Sequence, residues 1–294
     1  MIFFPDDPII WRLCLGNKLR VPARSINHSA CPMFQLLARW VWFTLQEAEQ
    51  SRTSVGEESI TDMLLLTLAY YCQKQVTVHK FKRNEESTNG ADWEWWIKKN
   101  NTWLPMRVQA KRIDVDTQSY PQLDKKGKGR TGRQKLQVNC LIDKAQNLGN
   151  GGPRQIPIYC FYNYFHTNNV PDTNNIEYGC AVASAYKIKK LIRPKPVKRH
   201  RDDVSQILHP WHKLVCDWKS HDDIKKALVP ARLIKKFKSV TTDALPGYVS
   251  RLIKKKDNAV YQQDQAINDL AGIVVIDCDI AEHLIAESLQ EWFE

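Results

Sequence analysis

A chain of 294 residues is long enough for one large domain or two small ones, and a hydrophobic content of 43% is enough for a sizeable core, which excludes general disorder. Its 43 Lys and Arg outweigh 32 Asp and Glu, and the resulting formal charge of +11 suits a protein that meets polyanions such as DNA, RNA or an anionic surface. No apolar run reaches the roughly 20 residues needed to cross a bilayer, and Met1 to Pro8 carries two aspartates and no basic leader. The expectation is therefore a cytoplasmic protein without a membrane partner. Eight cysteines, at 14, 31, 72, 140, 160, 180, 216 and 278, include no CxxC pair, so a zinc ribbon or thioredoxin motif is not supported. Reduced, mostly buried thiols are expected.

Residues 1–30 read as irregular, with prolines at 5, 8 and 22. Pro32 to Gln50 predicts a helix, because Phe34, Leu37, Ala38, Val41 and Leu45 recur at helical spacing. Ser54-Val55-Gly56-Glu57 has the form of a capping box and opens a second helix running to about Gln73, which places Glu58 in its first turn and Asp62 on the same face. Three strand-like segments follow, Val76–Phe81, Ala91–Ile97 and Trp103–Ile113, joined by short polar links. Asp124 to Lys135 reads as a flexible Gly- and Lys-rich loop, and a helix over 136–148 has Gly149 as its C-cap. Strands are predicted at Ile156–Phe165, Tyr178–Ala183 and Ala271–Ile276, with a closing helix at Ile280–Phe293. Lys187 to Arg201 holds eight basic residues around Pro194 and Pro196, which bar a continuous helix. The division expected is a helical extension (1–53), a central core (54–186) and a mixed C-terminal region (187–294) packed on that core.

The chemistry gathers on two of the strands. Alternation puts Asp92 and Glu94 on one face with Trp93 and Trp95 on the other, and likewise separates Gln109 and Lys111 from Val108 and Ala110. If the strands pair as a hairpin the polar faces coincide, and the helix carrying Glu58 can add a further carboxylate. Carboxylates and an amide oxygen are hard donors suited to Mg²⁺ or Mn²⁺. Together with a lysine they are the parts a phosphodiester hydrolase needs.

The order of these residues resembles the PD-(D/E)xK, or restriction-endonuclease-like, nuclease superfamily over roughly residues 54–165. Gln109-Ala110-Lys111 is similar to the QxK variant of its Mrr-like branch. The resemblance implies an α/β fold with a central mixed sheet flanked by helices and with helical and mixed additions at the two ends. It implies a catalytic set of Glu58, Asp92, Gln109 and Lys111, with Glu58, Asp92, Gln109 and Glu94 as metal ligands. The strings Gly-Ala-Asp-Trp-Glu-Trp-Trp and Val-Gln-Ala-Lys-Arg also resemble a bacterial Mrr-like family linked with phage defence. The implied activity is Mg²⁺-dependent DNA endonuclease cleavage in antiviral defence, with a regulatory partner protein and a homodimer both left open. Lys125, Lys126, Lys128, Arg130, Arg133 and Lys135 are the expected nucleic-acid contacts, each adding to salt dependence.

Plainer readings stand beside these. The missing acid at 109 also fits a nucleic-acid-binding or scaffolding subunit without catalysis, and RNA is as chemically accessible as DNA. Glu94 on an exposed strand edge, a solvated 125–135 loop, and Asp62 as a lysine partner need no function. His209, His212 and Cys216 lack a fourth ligand for structural zinc, so satisfied core histidines are expected there.

Overall fold

The computed structural model describes residues 29–81, 93–128, 134–146, 153–166, 175–193, 197–254 and 270–280. Helix α1 (Ala30–Gln50) buries Phe34, Leu37, Ala38, Val41 and Leu45 as its periodicity predicts. Helix α2 (Glu57–Tyr71) starts later than expected. Its N-cap is Gly56 in extended geometry with no side-chain cap bond, so the Ser54 capping box does not form. Its inward stripe is Ile60, Thr61, Leu64, Leu65 and Leu68.

The strands are β1 (Val76–Lys80), β2 (Trp93–Lys99), β3 (Thr102–Arg112), β4 (Lys126–Lys128), β5 (Gln134–Leu136), β6 (Ile156–Tyr162), β7 (Cys180–Ser184), β8 (His209–Pro210) and β9 (Gly272–Asp277). Between and after them lie α3 (Gln137–Gln146), α4 (Ala185–Ile192), α5 (Arg201–Ser205), α6 (His221–Leu228), α7 (Ala231–Ile234) and α8 (Gly247–Lys254). Seven strands form one mixed sheet in the order β1-β9-β2-β3-β6-β7-β8, and β4 and β5 form a separate hairpin. This is an α/β architecture with a central mixed sheet flanked by helices, as expected for a restriction-endonuclease-like core. Strands β2, β3 and β6 are buried along most of their length, which their aromatic and β-branched content provides for.

The β2–β3 hairpin sets the register of the centre. Its two-residue turn, Asn100-Asn101, has φ of 53° and 59°, the geometry of a type I′ turn. Both turn amides donate to the Asp279 carboxylate at 2.7 Å, so the chain's C-terminal region caps this turn. That region is also woven into the sheet rather than packed on it, because β9 lies between β1 and β2. A Cβ on Gly272 would overlap the Trp93 ring and approach His79 O at 2.5 Å, so only glycine lets β9 fit between its neighbours.

One sheet face carries Trp95, Tyr162 and the helices α1 and α2. Trp95 lies 6.3 Å from the Trp211 ring, Trp211 Nε1–H donates to Phe34 O at 2.6 Å, and the Thr61 hydroxyl meets the Tyr162 hydroxyl at 2.8 Å. The opposite face carries Trp96, packed with Val249 and Leu252 of α8 and with Ile273 and Val275. Among the described cysteines 72, 140, 160 and 180 are buried and free, but Cys31 and Cys216 form a disulfide with Cα atoms 5.2 Å apart. This corrects the expectation of reduced thiols throughout: α1 packs on the short 3-10 turn Trp211–Leu214, bringing two cysteines 185 residues apart into bonding range. No helix among the described residues is long and apolar enough to cross a membrane. The expected closing helix at 280–293 and the Gly149 cap lie outside the described residues, save Ile280.

Candidate active site

Strand β3 presents Arg107, Gln109 and Lys111 on one face, at 2%, 2% and 4% exposure. Long polar side chains so buried in the middle of a sheet are uncommon and point to a site. Antiparallel pairing sets Glu94 directly opposite Arg107, which places Glu94 on this polar face, with Trp93 opposite Val108 on the other. The coincidence of polar faces expected from alternation is therefore present. Parallel pairing with β6 sets Tyr159 beside Gln109 and Phe161 beside Lys111, and these two rings stack at 5.8 Å. Asp92 lies outside the described residues.

The first-turn carboxylate of α2 that reaches Lys111 is Glu57, whereas the sequence had pointed to Glu58. Glu57 Oε1 lies 3.8 Å from Lys111 Nζ, and Glu57 Oε2 accepts the Arg112 N–H at 2.9 Å. Glu58 is exposed. The correction follows from the helix start. With Gly56 as N-cap, Glu57 is the first helical residue and lines up with the inward Ile60, Thr61 and Leu64. Glu58 is rotated about 100° away, with Asp62 and Leu66 on the solvent side. The sequence reading had assigned Glu57 to the capping box. Burial raises the Glu57 carboxyl above its ordinary value, against the lowering by Lys111, the Arg112 N–H, and the charges of Arg112 and Lys125. Asp62 pairs instead with Lys80 at 2.6 Å on the surface.

Glu94 is fully buried, so the solvated-edge alternative does not hold. Its Oε1 accepts from Trp96 Nε1–H at 2.6 Å and from the Tyr248 hydroxyl of α8. Its Oε2 is buried and has no hydrogen-bond partner among the described residues. The register sets Glu94 four residues back along the face from Lys111.

The basic segment after the site is an antiparallel hairpin rather than a flexible loop: Lys126 pairs with Leu136 and Lys128 with Gln134. Lys125, Lys126 and Lys135 are exposed, and Lys135 is 3.3 Å from Asp143. Arg130 and Arg133 lie outside the described residues, as does the side chain of Lys128. Lys125 sits close enough to act on Glu57, and its carbonyl accepts the Gln137 N–H at 2.8 Å, tying the base of the hairpin to α3. In the second basic segment α4 stops at Ile192, before Pro194, and Arg199 reaches Asp124 at 3.3 Å beside this hairpin.

The zinc alternative fails on its parts. Cys216 is bonded to Cys31, and His212 Nε2 lies 3.8 Å from each of Glu177 and Asp217. Among the described residues no three His, Cys, Asp or Glu side chains gather as a metal-binding group. Sequence reasoning missed Arg107 and Tyr248. One more step of the same β3 alternation reaches Arg107, whereas nothing local in the sequence links Tyr248 to residue 94.

No curated protein and no solved structure matches the chain. A family model does match, over residues 30–279, a span holding every described part of this site, and the chain therefore belongs to the family of unknown function DUF6615.

Proposed function

We propose that the chain is a metal-dependent nuclease that hydrolyses phosphodiester bonds, with DNA as substrate and antiviral defence as its setting. The observation that carries this reading is the Glu57–Lys111 pair at the end of β3, where a part-exposed carboxylate of α2 lies 3.8 Å from a buried ammonium that shares its strand face with the buried Gln109 amide. The residues fit a hard divalent cation such as Mg²⁺ or Mn²⁺. Glu57 and Gln109 offer oxygen donors, Glu94 Oε2 is a buried carboxyl oxygen with no hydrogen-bond partner among the described residues, and Asp92 would complete the set. Such an ion, when bound, supplies positive charge to a phosphoryl oxygen and lowers the pKa of a bound water.

The chain's own residues do the rest. Lys111 is fixed by burial and by Glu57, so its ammonium meets negative charge developing on a phosphoryl group without reorganising. Arg112 N–H holds Glu57 Oε2, leaving Oε1 on the Lys111 side. Lys125 and Lys126, exposed at the base of the adjoining hairpin, suit the flanking phosphates.

The reading is tested by incubating the purified protein with matched DNA and RNA, single- and double-stranded, in Mg²⁺, Mn²⁺ or EDTA. Cleavage of DNA that requires the metal is expected. Cleavage of RNA alone would move the substrate, and no cleavage of either in either metal would overturn the reading. Gln109 in place of an acid favours one alternative, a binding subunit without catalysis. In that case Asp92→Ala leaves biological activity intact while charge reversal over 125–135 abolishes it.

A further inference from the structure

The proposed metal site draws on a helix that lies some 150 residues further along the chain. Tyr248 of α8 donates its hydroxyl to Glu94 Oε1, the oxygen that also accepts from Trp96 Nε1–H. Helix α8 is itself anchored against the same sheet face, with Val249 at 0% and Leu252 at 3% exposure packed among Trp96, Ile273 and Val275. Two donors on one carboxylate oxygen, one from the strand and one from a packed helix, fix the rotation of the group. They leave Oε2 buried on the Gln109–Lys111 face. Arg107 stands opposite Glu94 in the β2–β3 register, yet Oε2 takes no hydrogen bond from any described residue, and a buried carboxylate oxygen left without one is open to a further cation.

We infer that Tyr248 and Trp96 are positioning residues that hold Glu94 for divalent-cation binding, so that the C-terminal helix α8 sets the metal affinity of the site. The inference rests on the metal-dependent reading above, and concerns residues which that reading does not use. Loss of a side chain that orients a ligand typically weakens metal affinity 10–100-fold.

The test is Mn²⁺ titration of the full chain by calorimetry, with Mn²⁺-induced stabilisation in thermal denaturation as a second readout. Wild type is compared with Tyr248→Phe, and with Glu94→Gln, which keeps an oxygen to accept both donors but removes the charge. The expected result is Mn²⁺ binding about 10-fold or more weaker in Tyr248→Phe, lost in Glu94→Gln, and a matching loss of the Mn²⁺-induced shift. A purely structural role would lower the metal-free melting temperature and leave the Mn²⁺ affinity unchanged. Wild-type affinity in both variants overturns the inference while leaving the nuclease reading on Glu57, Gln109 and Asp92. Loss in Glu94→Gln alone removes Tyr248. A wild type that neither binds Mn²⁺ nor cleaves nucleic acid removes both readings together.

Discussion

Replacing Glu57 by Gln separates what this residue does for activity from what it does for stability. At 3.8 Å, the attraction to Lys111 is about 4 kcal/mol at an effective dielectric near 20. Glu57 keeps 32% of its side chain exposed, so solvent screens that attraction, the opposing desolvation is partial, and the two largely offset. The balance leans toward desolvation, the largest influence on the Glu57 carboxyl, which sits above its ordinary value. A neutral amide of the same shape still accepts the Arg112 N–H. Glu57→Gln should therefore be neutral or stabilising, by up to about 1 kcal/mol near neutral pH. The sign with pH is fixed by the same shift. A carboxyl whose folded value is raised favours the protonated folded form, so its benefit is full below the unfolded value and is lost as pH rises through the folded one. The wild type should thus gain on the variant as pH falls. Cleavage should drop by roughly 10²–10³ in the variant, whereas Glu58→Gln should change neither rate nor stability by more than about 0.5 kcal/mol. Urea denaturation at several pH values and a plasmid-nicking time course measure both. A Glu57→Gln protein that is clearly destabilised yet fully active, or a Glu58→Gln protein that is inactive, refutes the reasoning.

Four further outcomes follow from the geometry. Lys111→Ala should lower cleavage by roughly 10²–10³, the scale of losing one preorganised charge, and an unchanged rate takes Lys111 out of the mechanism. Gly272→Ala should destabilise by about 1–3 kcal/mol in denaturant unfolding, because the added methyl has the Trp93 ring and a backbone carbonyl in its place; a neutral effect would displace β9 from between β1 and β2. Reduction of Cys31–Cys216 should cost about 2–4 kcal/mol, read as a lower denaturation midpoint in dithiothreitol that Cys31→Ser abolishes. His221 is pushed down to about 4, first by burial, with its ring nitrogens engaged by Ile97 O and the Thr102 hydroxyl. Its stabilisation is full above the unfolded value near 6.5 and is lost as pH falls from there toward 4, amounting to roughly 3 kcal/mol at most. His221→Gln should flatten that acid limb, and an unaltered limb would contradict the assignment.

The polar face of β3 was legible in the sequence because strand alternation is local: Gln109 and Lys111 had to share a face, and Glu94 had to oppose Trp93. Helix α1 was legible for the same reason, through Phe34, Leu37, Val41 and Leu45. That Glu57 rather than Glu58 approaches Lys111 was not legible, because Ser54 and Glu57 have capping-box spacing and only the docking of α2 turns Glu57 toward Lys111. The parts that depend on distant segments meeting were not legible. Strand β9 enters between two strands nearly 200 residues earlier, Asp279 caps the Asn100-Asn101 turn, Cys31 meets Cys216, and Tyr248 reaches Glu94. Each is fixed by tertiary packing, which leaves no periodic trace in the sequence.

The most direct measurement is a crystal of the chain soaked in Mn²⁺, with the ion located by anomalous scattering. The account predicts one peak bounded by Glu57 and the Gln109 amide oxygen beside Lys111, with Asp92 on the same ion and Glu58 in solvent. A peak held by Glu58, or no ion at this face under conditions that support cleavage, would contradict it.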